Sequence, residues 1–316
     1  MEAVCEEAPV EGLCERMCPL HEVMERERQQ LIHPLEALSC DAQRSARFRR
    51  PDSSKMVKAY RRPAAGSSHL SASLLRPFPV LLHTVHYLNE LSGTESNSDW
   101  SLVYGFVSDR LRAVRQDMIM QCLEPQQTKR LLEHMIPFYL WAQFRCCTRT
   151  CTSYDAKLHA TQLEECLFRW KEAHSVCTSC ELTEQTQIVY LLHRAFEPTV
   201  LIDLIAWKPR PLTSVWLWCS QAIDALRSNN FVRCLALALH LPQIRRKTLE
   251  VCAAAYKSRN AWIPLSFLVK VLAFDSSDDC ARCCEETGFA TVDDRVLITP
   301  RKPANVDLTG KHWSIM

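Results

Sequence analysis

Three groups of residues are spaced as metal ligands could be: Cys14, Cys18 and His21 near the start, Cys177-x-x-Cys180 in the middle, and Cys280, Cys283 and Cys284 near the end. Thiolates and imidazoles hold zinc when four of them close on one ion. The two Cys-x-x-Cys pairs, however, lie about a hundred residues apart, far beyond the roughly 15 to 20 of a compact site. On a helix, Cys280 and Cys283 simply share a face, as do His83 and His86. The count of 17 cysteines is odd, so a secreted disulfide framework would strand a thiol. We therefore expect no bound metal and reduced thiols, with Cys122, Cys166, Cys219, Cys234 and Cys252 acting as small core hydrophobes.

Catalytic patterns are equally sparse. The chain has no Gly-rich phosphate loop, no His-Glu-x-x-His and no Gly-x-Ser-x-Gly. Only 6 glycines are present, and none falls between Phe106 and Thr287, so a backbone cradle for phosphates is hard to build. The expectation is a protein that is not an enzyme, with no cofactor and no small-molecule substrate.

Charge offers a different chemistry. Lys and Arg number 38 against 36 Asp and Glu, a net charge of +2, so the chain is no generic polycation. Positive charge is concentrated locally. From Gln43 to Arg76 it includes Arg47, Arg49 and Arg50, interleaved with Phe48 and Tyr60, and aromatic faces beside arginines can stack bases while phosphates are neutralised. Arg245, Arg246 and Lys247 form a second cluster, and Arg295, Arg301 and Lys302 a third. These nine residues are the candidate nucleic-acid contacts, with RNA the expected ligand.

The elements that must position them are helices. The long Gly-free interval argues against parallel sheets and barrels. A polar helix is expected within Glu15 to Leu38, and an apolar-faced one from Pro77 to Leu91. Trp100 to Leu123 repeats apolar residues at i, i+3, i+4 through Val103, Phe106, Val107, Leu111, Val114 and Met118. Its other face carries Asp109, Arg112, Arg115 and Asp117, read either as pairs that lock this helix to a neighbour or as an exposed contact surface. Further helical patterns occupy Thr128 to Cys147, His159 to Ala173, Thr183 to Ala195, Ser214 to Arg227, Asn230 to Leu241 and Arg245 to Lys257, with prolines between them.

Toward the end, Pro264 to Phe274 reads as a helix, and Ser276-Ser277 before Asp278-Asp279 as the cap of another that stops at Gly288. Ala290 to Val292 and Arg295 to Ile298 flank the turn Asp293-Asp294 as a small hairpin, a winged-helix order. On this module Phe267, Leu268 and Val271 are the candidate partner contacts where they are not core. The fold class is all-α: a helical-repeat array, then a C-terminal winged helix with a small β-hairpin. We divide the chain into an acidic segment and polar helix (1–42), a basic linker (43–76), the helical array (77–258), the winged helix (259–300) and a tail (301–316). No apolar run reaches the roughly 18 to 20 residues of a membrane span, and the acidic N-terminus is unlike a signal peptide, so a cytosolic or nuclear protein without a membrane partner is expected.

The block from Gly12 to Pro19 with Cys14 and Cys18, followed by Glu22 and Arg26, resembles a signature of the Sac-three/GANP family. So do Leu75 to Val80 with Tyr87-Leu88, and Ser108 to Asp117 with Asp109, Arg112 and Arg115. Asn230 to Leu235 and Ile263 to Phe289 are similar to its later helical and winged-helix blocks. The resemblance implies a PCI-like array and a scaffold of messenger RNA export that binds a second PCI-type subunit, a small acidic DSS-type peptide and RNA. Its brevity makes the chain most similar to the family's short animal branch. That branch implies the leading expectation, a scaffold docking in centrosome duplication, spindle assembly and mitotic progression in the cytoplasm, at the centrosome and spindle and in the nucleus, with the RNA-binding export subunit as the alternative.

Overall fold

In the computed structural model, residues 10–62, 71–93, 99–177, 183–194, 232, 235–236, 240–255 and 261–298 are described. The helices are α1 (Leu20–Arg28), α2 (Phe78–Gly93), α3 (Trp100–Met120), α4 (Pro125–Thr148), α5 (Ala156–Val176), α6 (Thr183–His193) and α7 (Leu241–Ala255). Strand β1 (Trp262–Pro264), helices α8 (Leu265–Val271) and α9 (Ser277–Glu286), and strands β2 (Ala290–Val292) and β3 (Arg295–Leu297) follow. The architecture is mainly helical. The expected helix Ser214 to Arg227 and the tail lie outside the described residues, as do seven of the twelve residues from Asn230 to Leu241. The chain divides into two compact units, residues 1–146 with 150–183 and residues 147–149 with 184–316.

The first unit is built on α3. Val107, Leu111 and Val114 are fully buried, as are Leu81, Val85 and Leu88 of α2, Leu131, Leu132, Met135 and Tyr139 of α4, and Leu163, Cys166, Leu167 and Trp170 of α5. Removing such side chains from water stabilises by about 1.5–3 kcal/mol each. Caps fix the helix starts: Asp99 accepts from the Ser101 N–H, and Asp155 from the Leu158 N–H. Pro137 sits inside α4, where it removes one ladder bond, and α4 runs through it.

Two expectations for this unit change. The polar helix expected within Glu15 to Leu38 is confined to α1, because the chain reverses at Gln30 (φ 60°) and then runs through a single 3-10 turn, Pro34–Glu36. The reversal delivers Glu36 to Arg26. Residues 43–62 and 71–76, expected as an extended linker, are tied back to the unit: Leu38 N–H reaches Arg50 O at 3.1 Å, Lys58 N–H reaches Met17 O at 2.9 Å, and Cys14 N–H reaches Leu75 O at 2.9 Å.

In the second unit, β1, β2 and β3 form one antiparallel sheet in the order β1-β3-β2. Ile263 and Val296 point inward to a core of Leu249, Cys252, Leu265, Leu268, Leu272, Cys280, Cys284 and Phe289. Ser276 caps α9 by accepting from the Asp279 N–H, and Gly288 (φ 89°) follows the helix end. Asp293 and Asp294 both have positive φ (47° and 58°), the backbone of a two-residue hairpin turn.

Candidate functional site

The charged side of α3 is spent within the first unit. Asp117, fully buried, accepts from Arg76 Nε at 2.7 Å and from Lys58 Nζ at 2.6 Å. Arg115 donates to the Gln162 carbonyl at 2.8 Å and pairs with Glu165 at 3.1 Å. Asp109 accepts from the Tyr60 N–H at 3.2 Å, while the Arg112 guanidinium lies 4.0 Å from the Tyr60 ring centroid. Next to Asp109 in sequence, Arg110 converges with Arg26 on the fully buried Glu36, which also accepts from the Val57 N–H at 3.0 Å. Burial pushes the Glu36 carboxyl up, but Arg110 and Arg26 outweigh it and hold the group below its ordinary range.

The N-terminal motif is threaded into this network. Gly12 N–H donates to Gln121 Oε1 at 2.8 Å, and a Cβ at Gly12 would stand 2.6 Å from the Leu75 carbonyl oxygen, so no side chain fits. Cys14 and Cys18 are buried, and Cys18 packs with Ile32, Ala37 and Met56. Burial, with the Glu22 charge, pushes its thiol up to about 12. Pro19 precedes the first residue of α1. His21 is exposed, and among the described residues no three His, Cys, Asp or Glu side chains group as metal ligands. Cys180 lies outside those residues. Cys122, expected as a reduced core thiol, is instead disulfide-bonded, while the other described cysteines carry free thiols.

The basic residues read as RNA contacts separate into two kinds. Arg245 is largely enclosed: its Nε donates to the Leu272 carbonyl at 3.0 Å, a second nitrogen binds Ala273 O at 2.5 Å, and its guanidinium stacks 3.7 Å from the Phe274 centroid. It joins α7 to the end of α8, so much of its hydrogen-bonding capacity is engaged within the unit. Arg246 and Lys247 both bind Glu250, at 2.9 Å each, and stay half-exposed. Arg49 donates to the Ile32 carbonyl at 3.2 Å. Arg50 binds Asp41 at 2.7 Å with its outer part in solvent, and Arg47 rests 5.0 Å from the Phe48 centroid. Arg295 stacks 4.1 Å from the Trp262 centroid, beside the acidic turn Asp293-Asp294. Arg301 and Lys302 lie outside the described residues.

The proposed partner contacts also divide. Leu268 is fully buried, so it belongs to the core and cannot dock anything; Val271 is half-buried and Phe267 is 46% exposed. The face that sequence reasoning missed is the outer side of the sheet. Antiparallel register aligns Pro264, Arg295 and Val292 in one row and Trp262, Leu297 and Ala290 in another, and period-two alternation puts both rows on the side opposite Ile263 and Val296. Trp262 is 46% exposed and Val292 53%. An aromatic, a proline and a valine around one stacked arginine is the composition of an interface core, where aromatic and arginine side chains are enriched. A tryptophan beside Ile263 was the available signal, but a three-residue strand leaves no alternation to read.

Residues 17–293 match the SAC3/GANP family. The chain is 31% identical over 245 residues to SAC3 family protein B of Arabidopsis thaliana, covering 72% of this chain and 14% of that protein. It is 22% identical over 323 residues to SAC3 family protein 1 of Schizosaccharomyces pombe, covering 90% of this chain and 30% of the relative. Against Protein xmas of Drosophila melanogaster it is 23% identical over 314 residues, covering 88% and 14%. The chain thus spans 14% to 30% of the length of these curated relatives.

Proposed function

This chain belongs to the SAC3/GANP family, and from that membership we propose that it is a non-enzymatic scaffold of a messenger RNA export assembly, working by protein-protein docking. We read α8, α9 and the three-stranded sheet as a winged helix, and the preceding helices as a PCI-like array. The observation that carries the docking function is the exposed outer sheet face of Trp262, Pro264 and Val292 around Arg295. The ion pairs around Glu36 and Asp117 favour a scaffold over an enzyme, because their charges are engaged with one another. The partner is a second PCI-type subunit, with a small acidic DSS-type peptide as a further ligand. No described helix is long and apolar enough to cross a membrane.

Affinity purification of the full chain, beside a Trp262→Asp, Val292→Asp variant, from interphase and from mitotic cells tests this. A PCI-type export subunit recovered with the native chain and lost with the variant supports the reading. Recovery of centrosome and spindle components in mitosis instead would assign the chain to the family's short animal branch and its compartments, the cytoplasm, centrosome and spindle. Equal recovery by the variant would remove the sheet face from the account.

A further inference from the structure

Residues 41–55 carry five cations, Arg44, Arg47, Arg49, Arg50 and Lys55, against two carboxylates, Asp41 and Asp52. Asp41 is fully buried, and it holds Arg50 at 2.7 Å and Arg44 at 3.1 Å, although those side chains remain 63% and 59% exposed. Two guanidiniums are thus fixed at their inner ends and open to solvent. Between them in sequence the 3-10 turn Ala46–Phe48 presents Phe48, 56% exposed and the most exposed aromatic side chain of this unit apart from Phe168, which is equally exposed. Arg47 lies 5.0 Å from its ring centroid. Arg49 anchors the turn from below through the Ile32 carbonyl.

Phe48 leaves an apolar ring in water with the Arg47 guanidinium beside it, and the charge of this segment sets what could cover the ring. An unpaired nucleotide offers the π-face of its base to the ring and its phosphate to the guanidiniums, whereas a duplex keeps its bases stacked away. We propose that Phe48, with Arg44, Arg47 and Arg50, is a stacking platform for single-stranded RNA. Phe48 takes one unpaired base, with Arg47 extending the stack, and Arg44 and Arg50 bind the flanking phosphates. The platform deepens the export reading by naming a ligand, but it uses none of the residues of the sheet face.

Fluorescence anisotropy of the full chain with a labelled eight-nucleotide uridine-rich RNA tests it, against duplex RNA of the same length and an acidic peptide as competitors. The platform predicts that single-stranded RNA binds at least tenfold more tightly than the duplex. Phe48→Ala should weaken binding about tenfold and Phe48→Tyr should retain it, in the range of one base-aromatic stack. Arg50→Ala should flatten the salt slope by about 0.7, the loss of one single-strand phosphate contact. Circular dichroism checks that the variants fold, as expected for a side chain that is 56% exposed. No binding, equal affinity of Phe48→Ala, or displacement of the RNA by the acidic peptide at equal concentration would overturn the platform. Retained recovery of the PCI-type subunit by Phe48→Ala separates this outcome from that of the docking face.

Discussion

Glu36 satisfies two arginines and a backbone N–H from a fully buried position, so its value is a difference between large desolvation and pairing terms. Replacing such a pair by apolar groups can be neutral, but removing one partner leaves the others charged and buried. Glu36→Gln should therefore destabilise by about 3–5 kcal/mol, read as a lower urea midpoint at unchanged slope. His159 makes the complementary case. Its Nε2–H donates to the Tyr139 carbonyl at 2.9 Å, its Nδ1 meets the Tyr104 hydroxyl at 3.0 Å, and burial lowers it from 6.5 to about 4. The unfolded chain binds that proton more readily, so the stability His159 contributes is full above about 6.5 and is lost as pH falls toward 4. Burial lowers His33 to about 4 as well, which adds to the same window. Urea midpoints at pH 7 and pH 5 should differ accordingly, and His159→Gln should narrow the difference; a pH-independent midpoint would contradict this.

Among elements, the join between α7 and α8 rests on Arg245, which supplies the carbonyls at the end of α8 where Ala273 turns to φ 50°. Arg245→Ala should cost about 1.5–3 kcal/mol, the worth of hydrogen bonds to a charged group, without changing RNA affinity; thermal unfolding and the anisotropy assay check both halves. The same scale shows what a sequence can reveal. The apolar rhythm of α3, the Ser276 cap and the Asp293-Asp294 turn are local signals, and local physics decides those elements. Gln30 has no local reason to leave the helix; it does so because Glu36 must reach Arg26 and Arg110, partners 10 and 74 positions away. Composition saw the positive charge of residues 43–76 but not that Lys58 and Arg76 meet Asp117, so a ligand surface and an internal brace looked alike. Leu268 and Phe267 are adjacent and both apolar, yet only packing against Cys280 and Cys284 separates core from surface.

At the scale of the whole units, the buried charges Glu36 and Asp117 brace the first from within, and the sheet of the second leaves Trp262 and Val292 exposed. Trp262, an exposed tryptophan stacked with Arg295, is the residue type that dominates interface energetics, at about 2 kcal/mol or more per truncated side chain. The most direct measurement is isothermal titration of the purified full chain with a purified PCI-type subunit, for the native protein and for Trp262→Asp. The account predicts one-to-one binding that the substitution weakens at least about thirtyfold, in line with such a contact; equal affinity for the two proteins would contradict it.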